Sequence, residues 1–154
     1  MVARRCGLIV ALVMSCGALW AQEKPLFIGT WKLNLTKSQL GPGPPPKSQI
    51  HIFEPYGNNG LTVTLEVINE QGNRATRKWS ANFDGKLYPF VAEQTVMLRR
   101  IDDYTIERTT YLGEKELSHV RFVVSKDGKT MTNTLTSTNA QGQAVISLLV
   151  YDKQ

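Results

Sequence analysis

The sequence predicts an all-β domain, an antiparallel up-and-down meander closed into a small barrel of about 8–10 strands, after an N-terminal signal segment. Short runs of alternating apolar and polar residues are separated by turn-forming residues about every 8–12 positions. Beyond the signal segment, the helical period of about 3.6 residues never persists. We expect a barrel rather than a sandwich, the alternative, because closure removes exposed sheet edges that promote aggregation.

The first strand is predicted over residues 29–35. Trp31, Leu33 and Leu35 alternate with polar side chains, which indicates one buried face. We interpret Trp31 as a plug that closes one end of the barrel. The Pro- and Gly-rich residues 36–47 follow, and because proline lacks the N–H group that a helix needs, this connection is expected to be extended.

The later strands are delimited by their turn residues. We expect Pro55 to end the ladder of the second strand, and Asn59-Gly60 to supply the positive φ of a hairpin turn. The clearest alternation places Leu61 and Val63 toward the core. The strands after the first are predicted over residues 48–53, 61–69, 74–83, 87–90, 95–101, 104–112, 115–125, 130–138 and 143–151.

Both ends of this region resemble a known family. The heptapeptide from Phe27 to Leu33 is similar to the start of fatty-acid-binding proteins, and its Gly-x-Trp is similar to the first-strand motif of lipocalins. Val150-Tyr151-Asp152-Lys153 resembles the last strand of a fatty-acid-binding protein. The resemblance implies a calycin, an antiparallel barrel that holds a small apolar ligand, and it extends to uncharacterised exported bacterial lipocalin-like proteins.

The chain departs from that family in two places. The Pro-rich residues 38–46 stand where fatty-acid-binding proteins usually carry a helical lid, and prolines prevent a helix there. Leu149 stands two residues before the terminal Tyr151, where the family usually carries an arginine that binds the ligand carboxylate. The resemblance therefore implies the barrel without its usual lid or this arginine.

Residues 1–21 are predicted to be a signal peptide. They combine Arg4-Arg5, an apolar run over residues 6–19 and the small Ala21 before the expected cleavage site. The apolar run is shorter than the roughly 20 residues that span a membrane. We therefore expect a periplasmic or extracellular domain of residues 22–154. A lipid anchor at Cys16 is the less favoured alternative, since residues 13–16 loosely resemble a lipobox.

The composition of the predicted mature domain excludes several classes of protein. Cys6 and Cys16 both lie in the signal segment, so no internal disulfide is available after cleavage. Removing Arg4 and Arg5 lowers the formal net charge from +5 to +3, which is too small to indicate nucleic-acid binding. The remaining length fits one domain, which we expect to be a monomer.

No catalytic, metal or cofactor site is predicted. The two histidines, His51 and His119, lie on different predicted strands without a cysteine or clustered carboxylates, so we interpret both as ordinary strand residues. Asp102-Asp103 is better explained as a turn than as an acid pair. An enzyme is the alternative that a contact between His119 and a carboxylate inside a cavity would support.

Four aromatic residues cluster around one predicted turn and are candidates for the rim of a cavity. Ordinary core packing is the alternative interpretation of this cluster. Its members are Trp79, Phe83, Tyr88 and Phe90.

Three arginines, Arg100, Arg108 and Arg121, are candidates for a cationic lining that favours an anionic head group. Each lies on the same face of its predicted strand as apolar residues, and so do Arg77 and His119. In the opposite phase Val120 and Phe122 face inward, and the arginines lie on a solvated outer face without the cost of burying a charge.

We therefore predict an exported, non-enzymatic protein that buries a small apolar or amphipathic ligand in its barrel. Each buried methylene contributes about 0.8 kcal/mol, so about eight would support micromolar binding. The alternative is a filled barrel that serves as an interaction module of the cell envelope, through its surface or its Pro-rich loop.

Overall fold

The computed structural model describes residues 25–154, and the predicted signal peptide with Cys16 lies outside the described residues. Ten antiparallel strands form one sheet, which curves into a nearly closed barrel, so the predicted all-β meander is confirmed. Within residues 25–154, no helix is both long and apolar enough to cross a membrane. The strands are β1 Gly29–Leu33, β2 Ser48–Tyr56, β3 Gly60–Ile68, β4 Arg74–Asn82, β5 Leu87–Pro89, β6 Gln94–Arg100, β7 Thr105–Leu112, β8 Lys115–Val124, β9 Thr130–Thr138 and β10 Ala144–Lys153.

Strands that are neighbours in the chain pair with each other, except β4 and β5, and the first strand also pairs with the last. The order across the sheet is β4-β3-β2-β1-β10-β9-β8-β7-β6-β5. In this register Trp31 lies opposite His51 on β2 and Lys153 on β10. The two outermost strands, β4 and β5, meet through side chains. We call this contact the seam of the barrel.

Aromatic side chains close the seam. The rings of Trp79 and Phe90 pack edge to face with centroids 6.1 Å apart. The Tyr88 hydroxyl donates to Asp84 at 2.8 Å and accepts from Asn82 at 3.0 Å. These contacts join β4 and the turn after it to β5 and the loop beyond, in place of a backbone ladder.

The predicted strand boundaries hold to within two residues except in β2. Pro55 was expected to end that strand, and this prediction was wrong, since β2 continues to Tyr56. Beyond Phe53, β2 has lost β1 as a neighbour and pairs with β3 alone. A proline is tolerated in such a single-sided stretch because its missing N–H can face away from the ladder.

The hairpin that follows β2 uses its glycines differently from the prediction. The positive φ of 54° falls at Gly57 and not at Gly60. Gly60 is required for space, because a Cβ atom there would lie 2.5 Å from the carbonyl oxygen of Ala81. The hairpin therefore needs Gly57 for its backbone conformation and Gly60 for the lack of a side chain.

The connection after β1 is extended, as predicted, apart from one 3-10 turn over Leu35–Lys37. Asn34 caps this turn through its side-chain oxygen, which accepts from the backbone N–H of Lys37 at 3.2 Å. The capping residue ends β1 two positions earlier than expected. Gln39 then forms an isolated bridge with Leu148, exchanging backbone hydrogen bonds of 2.7 and 2.8 Å.

Trp31 is fully buried at one end of the barrel, as the plug interpretation predicted. Its indole Nε1 donates to the carbonyl oxygen of Phe27 at 2.8 Å. The ammonium of Lys153 lies 4.8 Å from the ring centroid and donates to the carbonyl oxygen of Leu26 at 3.1 Å. Inward-facing apolar side chains fill this half of the barrel, among them Phe53, Leu61, Val63, Val96, Leu98, Ile106, Phe122, Val124 and Met131.

We expect Trp31→Ala to lower the free energy of unfolding by about 3–5 kcal/mol, because it removes a large buried ring and leaves a cavity. Ile146→Ala is the control, since Ile146 is 66% exposed on β10 and its truncation should change stability by no more than about 0.5 kcal/mol. Chemical denaturation of both variants measures the difference. Losses of similar size in the two would contradict the role given to Trp31.

Candidate ligand-binding site

A cavity of about 340 Å³ occupies the half of the barrel away from Trp31. His51, Phe122 and Tyr151 lie against the packed core and form its floor. The apolar part of its wall consists of Leu65, Phe90, Leu117, Val120, Leu135 and Leu149. Its polar residues are Gln49, Arg77, Gln94, Arg108, Thr110, Ser118, Asn133 and Ser137.

Two further spaces adjoin this cavity. One, of about 290 Å³, shares Gln49, Leu65 and Arg77 with it along β2–β4. The other is an open groove of about 390 Å³ between the Pro-rich segment 40–46 and inward-facing residues of β9 and β10, and it shares Ser137 with the cavity. The Pro-rich segment therefore lies beside the open end of the cavity.

Arg108 brings a positive charge into the cavity. Its side chain borders the open space, but its Nε atom is buried and has no hydrogen-bond partner within the described residues. Burial lowers the pKa of Arg108 to about 10, and the phenol of Tyr151 and the cation of Arg77 modify that value in opposite directions. Arg77 is also a lining residue, and none of the lining residues described is acidic.

His51 is held neutral on the cavity floor. It is 7% exposed, and its ring stacks on Tyr151 with centroids 5.0 Å apart. Burial, followed by the nearby Arg108, lowers the pKa of His51 to about 3. Its Nδ1 atom is buried and has no hydrogen-bond partner in the described part of the chain. At neutral pH this residue therefore contributes hydrogen-bonding capacity to the cavity but no charge.

Tyr151 is the centre of a small hydrogen-bond network. The side-chain amide of Gln49 donates to the phenol oxygen, and Asn133 also hydrogen bonds to it. Burial raises the pKa of Tyr151, while these two bonds and Arg108 oppose the shift. The phenol therefore keeps its proton. Asn133 is 2% exposed, and its Oδ1 atom has no partner among the described residues.

The predicted aromatic residues lie together, but only Phe90 lines the cavity. Trp79 is buried and packs against Phe90 from the seam side. Tyr88 lies in the hydrogen-bond network of the seam. Phe83 packs under the guanidinium of Arg100, which lies 4.4 Å from its ring centroid.

The structure separates the three predicted arginines. Arg108 faces inward and lines the cavity. Arg100 is exposed and is occupied by its contact with Phe83. Arg121 lies on the outer face of β8, where it donates to Glu107 at 2.9 Å, because Val120 and Phe122 take the inward positions of that strand. On β8 the structure therefore follows the interpretation in which Val120 and Phe122 face inward and the arginine faces outward. On β7 it follows the interpretation in which Arg108 faces inward.

Sequence reasoning missed most polar residues of the cavity floor. His51 was interpreted as an ordinary strand residue, although its shared phase with the apolar Phe53 was a signal that it faces inward. Nothing local marked Gln49 or Asn133. His119 does lie near a carboxylate, with Nε2 3.6 Å from Glu107, but this pair is on the outer face. Within residues 25–154, no cluster of three or more metal-binding side chains occurs.

The chain is similar to known proteins in its structure but not detectably in its sequence. No model of a protein family and no curated protein sequence matches the chain. The wild-type fluorescent protein UnaG aligns with a TM-score of 0.60, covering 83% of this chain and 97% of UnaG at 14% sequence identity. A single-residue variant of UnaG gives the same TM-score and identity, with 84% and 96% coverage. The fold is of the calycin type.

A more distant match is the siderocalin Ex-FABP, which is described as functioning through dual ligand specificities. It aligns with a TM-score of 0.42 at 13% identity, covering 84% of this chain and 74% of Ex-FABP. The likeness to UnaG alone supports the fold, and at 14% identity it leaves the ligand to be argued from the cavity itself.

Lowering the pH from 6.5 to 4.5 is expected to reduce the free energy of unfolding by about 2 kcal/mol through His51. In this range the unfolded chain, with a histidine pKa near 6.5, takes up a proton that the folded chain, with a pKa of about 3, does not. Urea denaturation across this range measures the effect. His51→Gln should remove this contribution, whereas His119→Gln on the outer face should retain it. A wild-type stability that does not change across the range would contradict the burial of a neutral His51.

Proposed function

We propose that this protein is an exported, non-enzymatic carrier of a small amphipathic molecule with an acidic head group, which it holds in the calycin cavity. The observation that carries the proposal is Arg108, whose buried Nε has no hydrogen-bond partner within residues 25–154, in a cavity whose described lining residues include no acid. A cation in such a place is costly unless an anion compensates it. A bound carboxylate, sulfonate or phosphate would provide that compensation.

The rest of the cavity suits the apolar part of such a ligand. Leucine, valine and phenylalanine side chains form most of its wall, and a volume of about 340 Å³ lies at the small end of known ligand pockets. Each methylene buried there contributes about 0.8 kcal/mol, while the charged contact fixes the orientation. A medium-length aliphatic acid is therefore the simplest probe.

The alternative is a filled barrel that acts through its outer surface. The cavity favours a carrier over that alternative, because only the half around Trp31 is packed. Export rests on the sequence of residues 1–21. The absence of a disulfide from the predicted mature chain is compatible with export, since packing and the β ladder stabilise the barrel without one.

Arg108→Met should weaken binding of decanoate by about tenfold to a hundredfold, since charge-assisted hydrogen bonds contribute about 1.5–3 kcal/mol. Binding of uncharged decanol should change little. Arg121→Met is the matched control, because it removes the same side chain from the outer face, where its partner is Glu107. Isothermal titration calorimetry of both ligands with the three proteins measures these differences.

Equal decanoate affinities in wild type and Arg108→Met would overturn the anion site, and no binding of either ligand would overturn the carrier. The free energy of unfolding separates a binding defect from misfolding. It should not fall in Arg108→Met, since methionine relieves the cost of an uncompensated buried charge. A loss of more than about 1 kcal/mol would show that Arg108 has a structural role instead.

Export makes a separate prediction. Expressed with residues 1–21 in a Gram-negative host, the protein should be recovered from the periplasm, and mass spectrometry should find a mature N-terminus at Gln22. A chain starting at Gln22 should remain in the cytoplasm. Cys16→Ala should leave fractionation unchanged if the protein is released. Recovery of the wild type in the membrane fraction, lost in this variant, would instead indicate a lipid anchor.

A further inference from the structure

We propose that the preferred ligand carries a hydrogen-bond donor, either a hydroxyl or an amide N–H, within a few bonds of its acidic group. This inference rests on the proposed function and narrows it from amphipathic acids in general to hydroxy acids and N-acyl amino acids. It derives from buried polar atoms of the cavity that have no hydrogen-bond partner within residues 25–154.

Four buried side-chain atoms of the cavity have no hydrogen-bond partner among the described residues: Arg108 Nε, His51 Nδ1, Thr110 Oγ1 and Asn133 Oδ1. They differ in what they can bind. Arg108 can only donate, and the amide oxygen of Asn133 can only accept. The threonine hydroxyl can do either, and the imidazole nitrogen can do one or the other depending on its tautomer. The cavity therefore presents both a donor and an acceptor.

The residues paired with Asn133 on the neighbouring strands offer its oxygen no side-chain donor. On the neighbouring strands it lies opposite Phe122 of β8 and Leu149 of β10, two apolar residues without side-chain donors. Its hydrogen bond to Tyr151 fixes the amide, and Gln49 donates to the same phenol oxygen. A donor on a bound ligand would satisfy Asn133 Oδ1.

A simple aliphatic carboxylate cannot supply that donor. Its two oxygens accept hydrogen bonds from Arg108 and from the phenol O–H of Tyr151, and the rest of the molecule is apolar. Filling the cavity with such a chain leaves a buried amide oxygen unsatisfied, which costs free energy. A hydroxyl or N–H next to the carboxylate removes this cost. Sites built to hydrogen bond a donor strongly reject the analogue that lacks it.

The test compares ligands that differ only in this donor. Decanoate, 2-hydroxydecanoate, 3-hydroxydecanoate and N-octanoylglycine are titrated into wild-type protein by calorimetry. At least one of the three donor-bearing acids should bind about tenfold more tightly than decanoate, a factor equivalent to about 1.4 kcal/mol. The hydroxy acids and the acylglycine distinguish a hydroxyl from an amide N–H. If decanoate binds as tightly as all three, the inference is wrong while the carrier function stands.

The variant Asn133→Leu tests whether Asn133 is the acceptor. It should lower the preference for the donor-bearing acid to less than about twofold, mainly by loss of affinity for that acid. Thr134→Leu on the same strand is the control, since its side chain points to the other face. A preference that persists in folded Asn133→Leu overturns the assignment. If that variant does not fold, the wild-type series alone decides the inference, and failure of all four acids to bind would instead reject the carrier function.

Discussion

The burial of Trp31 is the contact on which the rest of this structure depends. Its strand lies between the second strand and the last, so the indole is packed where the first and last strands of the described chain meet. His51 lies directly opposite Trp31 on the adjacent strand, which places the cavity floor next to the plug. Packing around one large ring therefore both stabilises the lower half of the barrel and determines how deep a ligand can enter. The upper half has no comparable plug, and the space that remains there is the cavity.

The seam shows how closure and the cavity are connected. Side chains rather than a ladder join β4 to β5, so this contact lacks the backbone hydrogen bonds that protect the other strand pairs from opening. Phe90 belongs to both features, because it packs on Trp79 in the seam and also lines the cavity, where the guanidinium of Arg108 lies 5.4 Å from its ring centroid. A ligand that contacts Phe90 would therefore also stabilise the weakest join in the barrel.

The polar interior has a cost in stability that a purely structural core would avoid. Among the described residues, Arg108 has no carboxylate partner and the Asn133 side-chain oxygen has no donor, and burial keeps His51 neutral by lowering its pKa far below the ordinary value. Natural proteins tolerate such groups where function requires them, and local departures from core rules concentrate at functional sites. By contrast, the outer-face pair of Arg121 and Glu107 is solvated and inexpensive. The same side chain therefore lowers the stability of the folded chain at position 108, inside the barrel, and has little effect at position 121, on its outer face.

The sequence by itself determined the succession of short strands and the inward face that buries Trp31, because alternation and turn chemistry are local properties that each short segment carries alone. The choice of a barrel over a sandwich was decided by the curvature of the whole sheet. Tertiary structure decided how far β2 continues past Pro55, since that depends on where β1 stops. It also decided the site. A strand pattern offers two faces, and whether Arg108 or Arg121 faces inward depends on competition with apolar neighbours and on the register of adjacent strands. The grouping of His51, Asn133 and Tyr151 arises only when strands distant in sequence are brought together by closure of the barrel.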